Sequence, residues 1–124
     1  MEVPAFSYPA YTYRVLEITK VVDADTIDVV LDLGLHVRVH RRLRFMGIDT
    51  WEVRGDEREK GLIAKERLEE MLANDEKVYV QTVMDAEGKY GRLLAWLWTE
   101  QSHDALTCLN EQLLMEGHGT EYPS

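Results

Sequence analysis

One cysteine, three prolines and the absence of any long apolar run set the first limits on this chain. The lone thiol, Cys108, excludes an internal disulfide and a cysteine-built zinc site. A membrane helix needs about 20 consecutive apolar residues, and no stretch approaches that. Met1 to Tyr13 has no basic segment leading into an apolar core, so no secretory signal is read there. The setting expected is cytoplasmic, with secretion after processing left open. Positive charge is also scarce. Against 23 acidic side chains stand 14 Lys and Arg, a net charge of −9, which argues against a binder that coats nucleic acid with a broad basic surface.

What is present is the makeup of one globular domain: 124 residues, 45% hydrophobic and 30% charged, without repeats or low-complexity tracts. The charge is uneven. Residues 1–50 carry six basic and seven acidic side chains, residues 51–76 five and nine, and residues 77–124 three and seven. Arg38, Arg41, Arg42 and Arg44 fall within seven positions. Any anion site is therefore local, set in an acidic background.

Residues 1–12, with Pro4 and Pro9 among aromatics, read as an extended N-terminal arm, and residues 13–124 as the domain. Tyr13 to Val22 and Thr26 to Leu31 read as strands, separated by Asp23-Ala24-Asp25. After a turn at Asp32-Leu33-Gly34, Leu35 to Phe45 alternates. Leu35, Val37, Val39, Leu43 and Phe45 point one way, with His36, Arg38, His40, Arg42 and Arg44 opposite. Glu57 to Ala73 is helical, burying Ala64, Leu68, Met71 and Leu72. Lys77 to Val83 is a fourth strand. Leu93 to Trp98 is a fifth, apolar on both faces, and is expected between a barrel interior and a helix. Leu106, Leu109 and Leu113 mark a second helix, with Cys108 among its apolar positions, stopped by Gly117. The order βββ–α–ββ–α fits an α+β domain built on a five-stranded OB-fold barrel with packed helices.

Three junctions gather chemistry: Asp23-Ala24-Asp25-Thr26, the run from Arg44 to Glu52, and Lys89-Tyr90-Gly91-Arg92. Carboxylates with a backbone carbonyl are hard oxygen ligands suited to calcium or magnesium. Arginines beside them offer bidentate donors to a phosphate. A carboxylate one hydrogen bond from a water can orient or deprotonate it for attack on a phosphodiester. Singly, each group has a plain structural reading, as a turn cap or a solvated charge. Their combination shifts the balance.

Val22-Asp23-Ala24-Asp25-Thr26, Arg44 followed by Asp49-Thr50-Trp51-Glu52, Tyr90-Gly91-Arg92-Leu93-Leu94-Ala95 and Leu109-Asn110-Glu111 together resemble the thermonuclease, or staphylococcal-nuclease-like, family. The resemblance implies a calcium-dependent endonuclease that hydrolyses DNA, with RNA as a further candidate substrate, at little sequence preference. It places the Ca2+ ligands on Asp25, Asp49 and the carbonyl of Thr50. Glu52 takes the place of the general base, or of the acid that positions the water. Arg44 and Arg92 hold the scissile phosphate, Lys89 and Tyr90 touch the nucleotide's terminal phosphate, and Asp23 supports the metal. The implied partner is nucleic acid, without a membrane or an obligate protein partner.

Two residues depart from that pattern. Ala24 stands where glycine is usual, which strains the loop if a positive φ is needed there. Trp51 replaces the usual proline, an exchange expected to loosen the backbone while offering either a surface for base stacking or a core ring. Tyr122 is weighed as a nucleotide-contacting tyrosine. The acidic total predicts weaker, salt-sensitive substrate binding. The rival class is a non-catalytic OB-fold module that binds single strands or a protein partner.

Overall fold

The computed structural model describes residues 1–3, 11–73, 77–83, 93–102 and 105–122. Strands β1 (Thr12–Asp23), β2 (Thr26–Asp32) and β3 (Arg38–Phe45) form an antiparallel meander. A short β4 (Ile48–Thr50) and a 3-10 turn (Gly55–Glu57) lead into helix α1 (Arg58–Ala73). Then come β5 (Val78–Val83), β6 (Leu93–Ser102), β7 (Ala105–Cys108), helix α2 (Leu109–Met115) and β8 (Gly119–Glu121).

β5 lies between β1 and β6, and β6 pairs in parallel with β3. β1, β2, β3, β6 and β5 thus close a five-stranded barrel, the OB-fold arrangement expected. Three register shifts along β1 let it coil around the barrel instead of lying flat. The closed interior holds Ile27, Val29, Leu31, Leu43, Phe45, Val80 and Leu97, all at most 1% exposed. Leu68 and Met71 of α1 and Leu109 and Leu113 of α2 join this core.

Three sequence expectations need correction. β3 begins at Arg38, because the alternation runs on through a tight turn in which Leu33 N–H donates to the Val37 carbonyl and Val37 N–H to that of Gly34. Leu35 and His36 adopt left-handed φ there, and Leu35 is 95% exposed instead of facing the core. Cys108 ends β7, opposite Trp98, and Leu106 also belongs to β7, so α2 starts only at Leu109. Trp96 and Trp98 of β6 form a second cluster with Cys108, Met1 and Val3. Ala24 is fully buried and is not among the positive-φ residues, so the β1–β2 junction takes its methyl without left-handed strain.

The cationic face is also less free than its sequence suggests. On β2, Asp28 stands opposite Lys20 and Arg42, and Asp32 opposite Arg14 and Arg38. Arg42 grips Asp28 with two hydrogen bonds, of 2.7 and 3.1 Å. The aspartates therefore neutralise part of the row across the strands.

Candidate active site

The first two junctions meet at one end of the barrel. Asp25 is in the tight turn between β1 and β2 and is 7% exposed. Burial of a carboxylate requires partners, and it has three: Thr26 Oγ1 donates to Oδ1 at 2.9 Å, Thr50 N–H donates to Oδ2 at 2.9 Å, and Arg44 Nη2 lies 3.5 Å away. The Thr50 bond ties β4 to the β1–β2 turn across 25 residues of chain.

Arg44 is on β3, at the seam where β3 pairs with β6. Nη1 donates to the carbonyls of Phe45 and Ile48 at 2.7 and 2.8 Å. Nη2 stands between Asp25 and Asp49, at 3.5 and 3.6 Å. The Tyr122 ring covers the guanidinium with its centroid 5.6 Å from Cζ. A guanidinium fixed by two carbonyls and two carboxylates is pre-organised, so its planar fork has little rotamer freedom left to lose.

Asp49 is half exposed, and Glu52 is exposed just beyond β4. Partial desolvation raises the Glu52 pKa above its ordinary value, and the charges of Asp23, Asp25, Asp49 and Glu57 raise it further. Asp23 is raised first by burial and then by Asp25, against the opposing pull of Arg54, Lys65 and Arg44. The carboxylates gathered here make a negative potential which a bound cation would relieve.

The donors at this end of the barrel are hard oxygens, the chemistry that Ca2+ or Mg2+ prefers. Asp25 keeps lone pairs beyond those used by its partners. The Thr50 hydroxyl is buried without a hydrogen-bond partner among the described residues. Such an atom is usually satisfied by water or an ion. Among the described residues no group of three or more His, Cys, Asp or Glu side chains stands where it could hold a metal ion. Asp25, Asp49 and the Thr50 carbonyl are the oxygens here that could hold such a cation, with water completing its shell.

Lys89, Tyr90 and Arg92 lie outside the described residues. The other expected residues, Asp23, Asp25, Arg44, Asp49, Thr50 and Glu52, are brought together. Sequence reasoning missed what holds them. Trp51 does not loosen the chain: its N–H donates to the His118 carbonyl at 3.1 Å and its indole Nε1 to that of Gly117 at 3.0 Å. Lys60 Nζ sits 5.0 Å from its ring centroid. A Cβ on Gly61 of α1 would fall 1.9 Å from the Glu52 carbonyl oxygen, and one on Gly119 of β8 2.4 Å from that of Asp49. A glycine inside a helical pattern costs about 1 kcal/mol against alanine, so Gly61 was a readable signal of close packing. Asn110, buried in α2, was matched only as a motif letter.

The family model for the staphylococcal nuclease homologue matches residues 42–123. That span contains Arg44, Asp49, Thr50, Glu52, Lys89, Tyr90 and Arg92, while Asp23 and Asp25 precede it. No curated protein matches the chain.

Proposed function

Since this chain belongs to the staphylococcal nuclease homologue family, we propose that it is a calcium-dependent nuclease that hydrolyses phosphodiester bonds of DNA, and of RNA as a further substrate. The observation that carries this reading is the Arg44 guanidinium held between Asp25 and Asp49, near a Glu52 whose pKa desolvation, and after it the charges of Asp23, Asp25 and Asp49, raise. Asp25, Asp49 and the Thr50 carbonyl would hold the cation, with Asp23 in support. When bound, it supplies Lewis-acid polarisation of a phosphoryl oxygen.

The chain's own groups carry the rest. Glu52, as a carboxylate, accepts a hydrogen bond from the attacking water and orients it toward phosphorus. Arg44 presents rigid donors to the non-bridging oxygens, where charge develops. Arg92 supplies the second guanidinium, and Lys89 and Tyr90 engage the terminal phosphate.

Degradation of single-stranded and duplex DNA with calcium, with magnesium and with chelator tests the reading. Cleavage is expected with calcium and is lost on chelation. Glu52→Gln should lower turnover by about a hundred- to ten-thousandfold with a much smaller effect on calcium binding, measured by calorimetry. Equal loss in both would make Glu52 a ligand instead of a base. A folded protein that binds oligonucleotides without cleaving them would favour the non-catalytic OB-fold module.

A further inference from the structure

The segment that carries Asp49, Thr50 and Glu52 is gripped along its length. β8 pairs with β4, setting Thr50 opposite Gly119 and Ile48 opposite Glu121, and Tyr122 N–H donates to the Gly47 carbonyl at 3.0 Å. Trp51 adds the two bonds to the Gly117 and His118 carbonyls. Glu52 N–H donates to Glu57 Oε1 at 3.0 Å, just ahead of α1. On the other side α1 presses against the same backbone: the absent Gly61 side chain leaves the room that the Glu52 carbonyl and Val53 nitrogen occupy, 1.9 and 2.7 Å from where its Cβ would stand. Gly119 gives the same clearance to Asp49 and Thr50.

We propose that Trp51, Gly61 and Gly119 are positioning residues forming a backbone clamp that sets Glu52 and the Thr50 carbonyl in register with Arg44. The inference rests on the reading of Glu52 as the water-orienting acid. A proline at position 51 has no N–H and no indole, so the bond to the His118 carbonyl needs a residue other than proline there and the bond to the Gly117 carbonyl needs the tryptophan ring. Trp51 is thus a substitution that tightens the loop. Neither glycine tolerates a methyl without moving backbone, because the atoms in the way are main-chain carbonyl and Cα atoms and not the ends of flexible side chains.

A shift of about 1 Å in a reacting group costs about a hundredfold in rate, which is the fall in kcat expected for Gly61→Ala and Trp51→Pro. KM for DNA should stay within about twofold, because uniform binding by Arg44 and the 89–92 segment is untouched. Trp51→Phe keeps the main-chain bond and loses only the indole bond, and should retain most of the activity. Amide hydrogen exchange supplies a readout independent of catalysis. Thr50 and Glu52 should lose protection in Gly61→Ala and Trp51→Pro, while β2, β3 and β6 keep theirs. Uniform loss of protection would show a merely structural role and overturn the proposal.

Wild-type kcat in a folded Gly61→Ala would overturn it as well, leaving the nuclease reading intact. If the wild-type protein does not cleave, that reading fails, and exchange alone judges the clamp: local loss supports it and unchanged protection overturns it. Should Gly61→Ala not fold, Trp51→Pro, which removes both bonds and inserts nothing against α1, carries the same exchange test.

Discussion

Asn110 is fully buried, yet none of its polar atoms is idle. Its Oδ1 accepts the Leu97 N–H at 2.9 Å, and its Nδ2 donates to the carbonyls of Met46 and Ala95 at 2.9 and 3.0 Å. One amide on α2 therefore stitches the turn after β3 to β6, next to the seam that carries Arg44. Each buried polar group left unpaired costs about 1–3 kcal/mol. Asn110→Ala strands the Leu97 N–H and the Met46 carbonyl, while the Ala95 carbonyl keeps the Met46 N–H, so urea unfolding should show a loss of at least about 2 kcal/mol. A loss below about 1 kcal/mol would mean that water replaces the amide.

At the scale of elements, α1 and α2 are joined by charge. Arg67 of α1 reaches Glu116, just past the end of α2, with two bonds of 2.7 and 3.1 Å. The Arg67 guanidinium holds the Glu116 carboxyl below its ordinary value of 4.5, with Gln112 assisting. A carboxylate whose folded pKa is depressed adds stability above its unfolded pKa and loses it as pH falls through the folded value. The melting temperature of the wild-type protein should therefore fall more steeply below pH 4.5 than that of Glu116→Gln, which should be less stable near neutrality. Parallel acid limbs for the two proteins would deny the pair its role.

The strands and helices of the barrel were legible because their periods differ: β2 buries Ile27, Val29 and Leu31 at period two, and α1 buries Ala64, Leu68 and Met71 at helical spacing. Where apolar letters continue across a change of backbone, the pattern misleads. Leu35 keeps the alternation of β3 but sits in a left-handed turn, and Leu106 keeps the spacing of α2 but lies in a strand. The acids and Arg44 were legible as residue types chemically suited to a metal and a phosphate. Their holders were not, because Trp51 and Gly119 act through main-chain contacts with partners more than 60 residues away, which no local period records.

For the molecule as a whole, the net charge of −9 and the aspartates set against the arginine row leave few free cations for a polyanion. The binding affinity for duplex DNA falls with a logarithmic salt slope of about −0.9 per phosphate contact. If contact is confined to Arg44, Lys89 and Arg92, raising salt from about 50 to about 200 mM should weaken binding by about fortyfold. Fluorescence titration at several salt concentrations measures the slope. A flat profile would mean that the arginines do not meet the phosphate backbone.

The pairing of β4 with β8 has a consequence for synthesis. Asp49 and Thr50 leave the ribosome long before Gly119–Glu121, the strand that fixes them, has been made. A chain emerging at about 5–20 residues per second spends several seconds with the meander available to fold while its acidic segment has no partner. On the proposed function, the acidic segment gains its fixed register only once β8 has been made, and a polysome-bound chain that is already largely barrel but lacks β8 should be inert toward the nucleic acid around it.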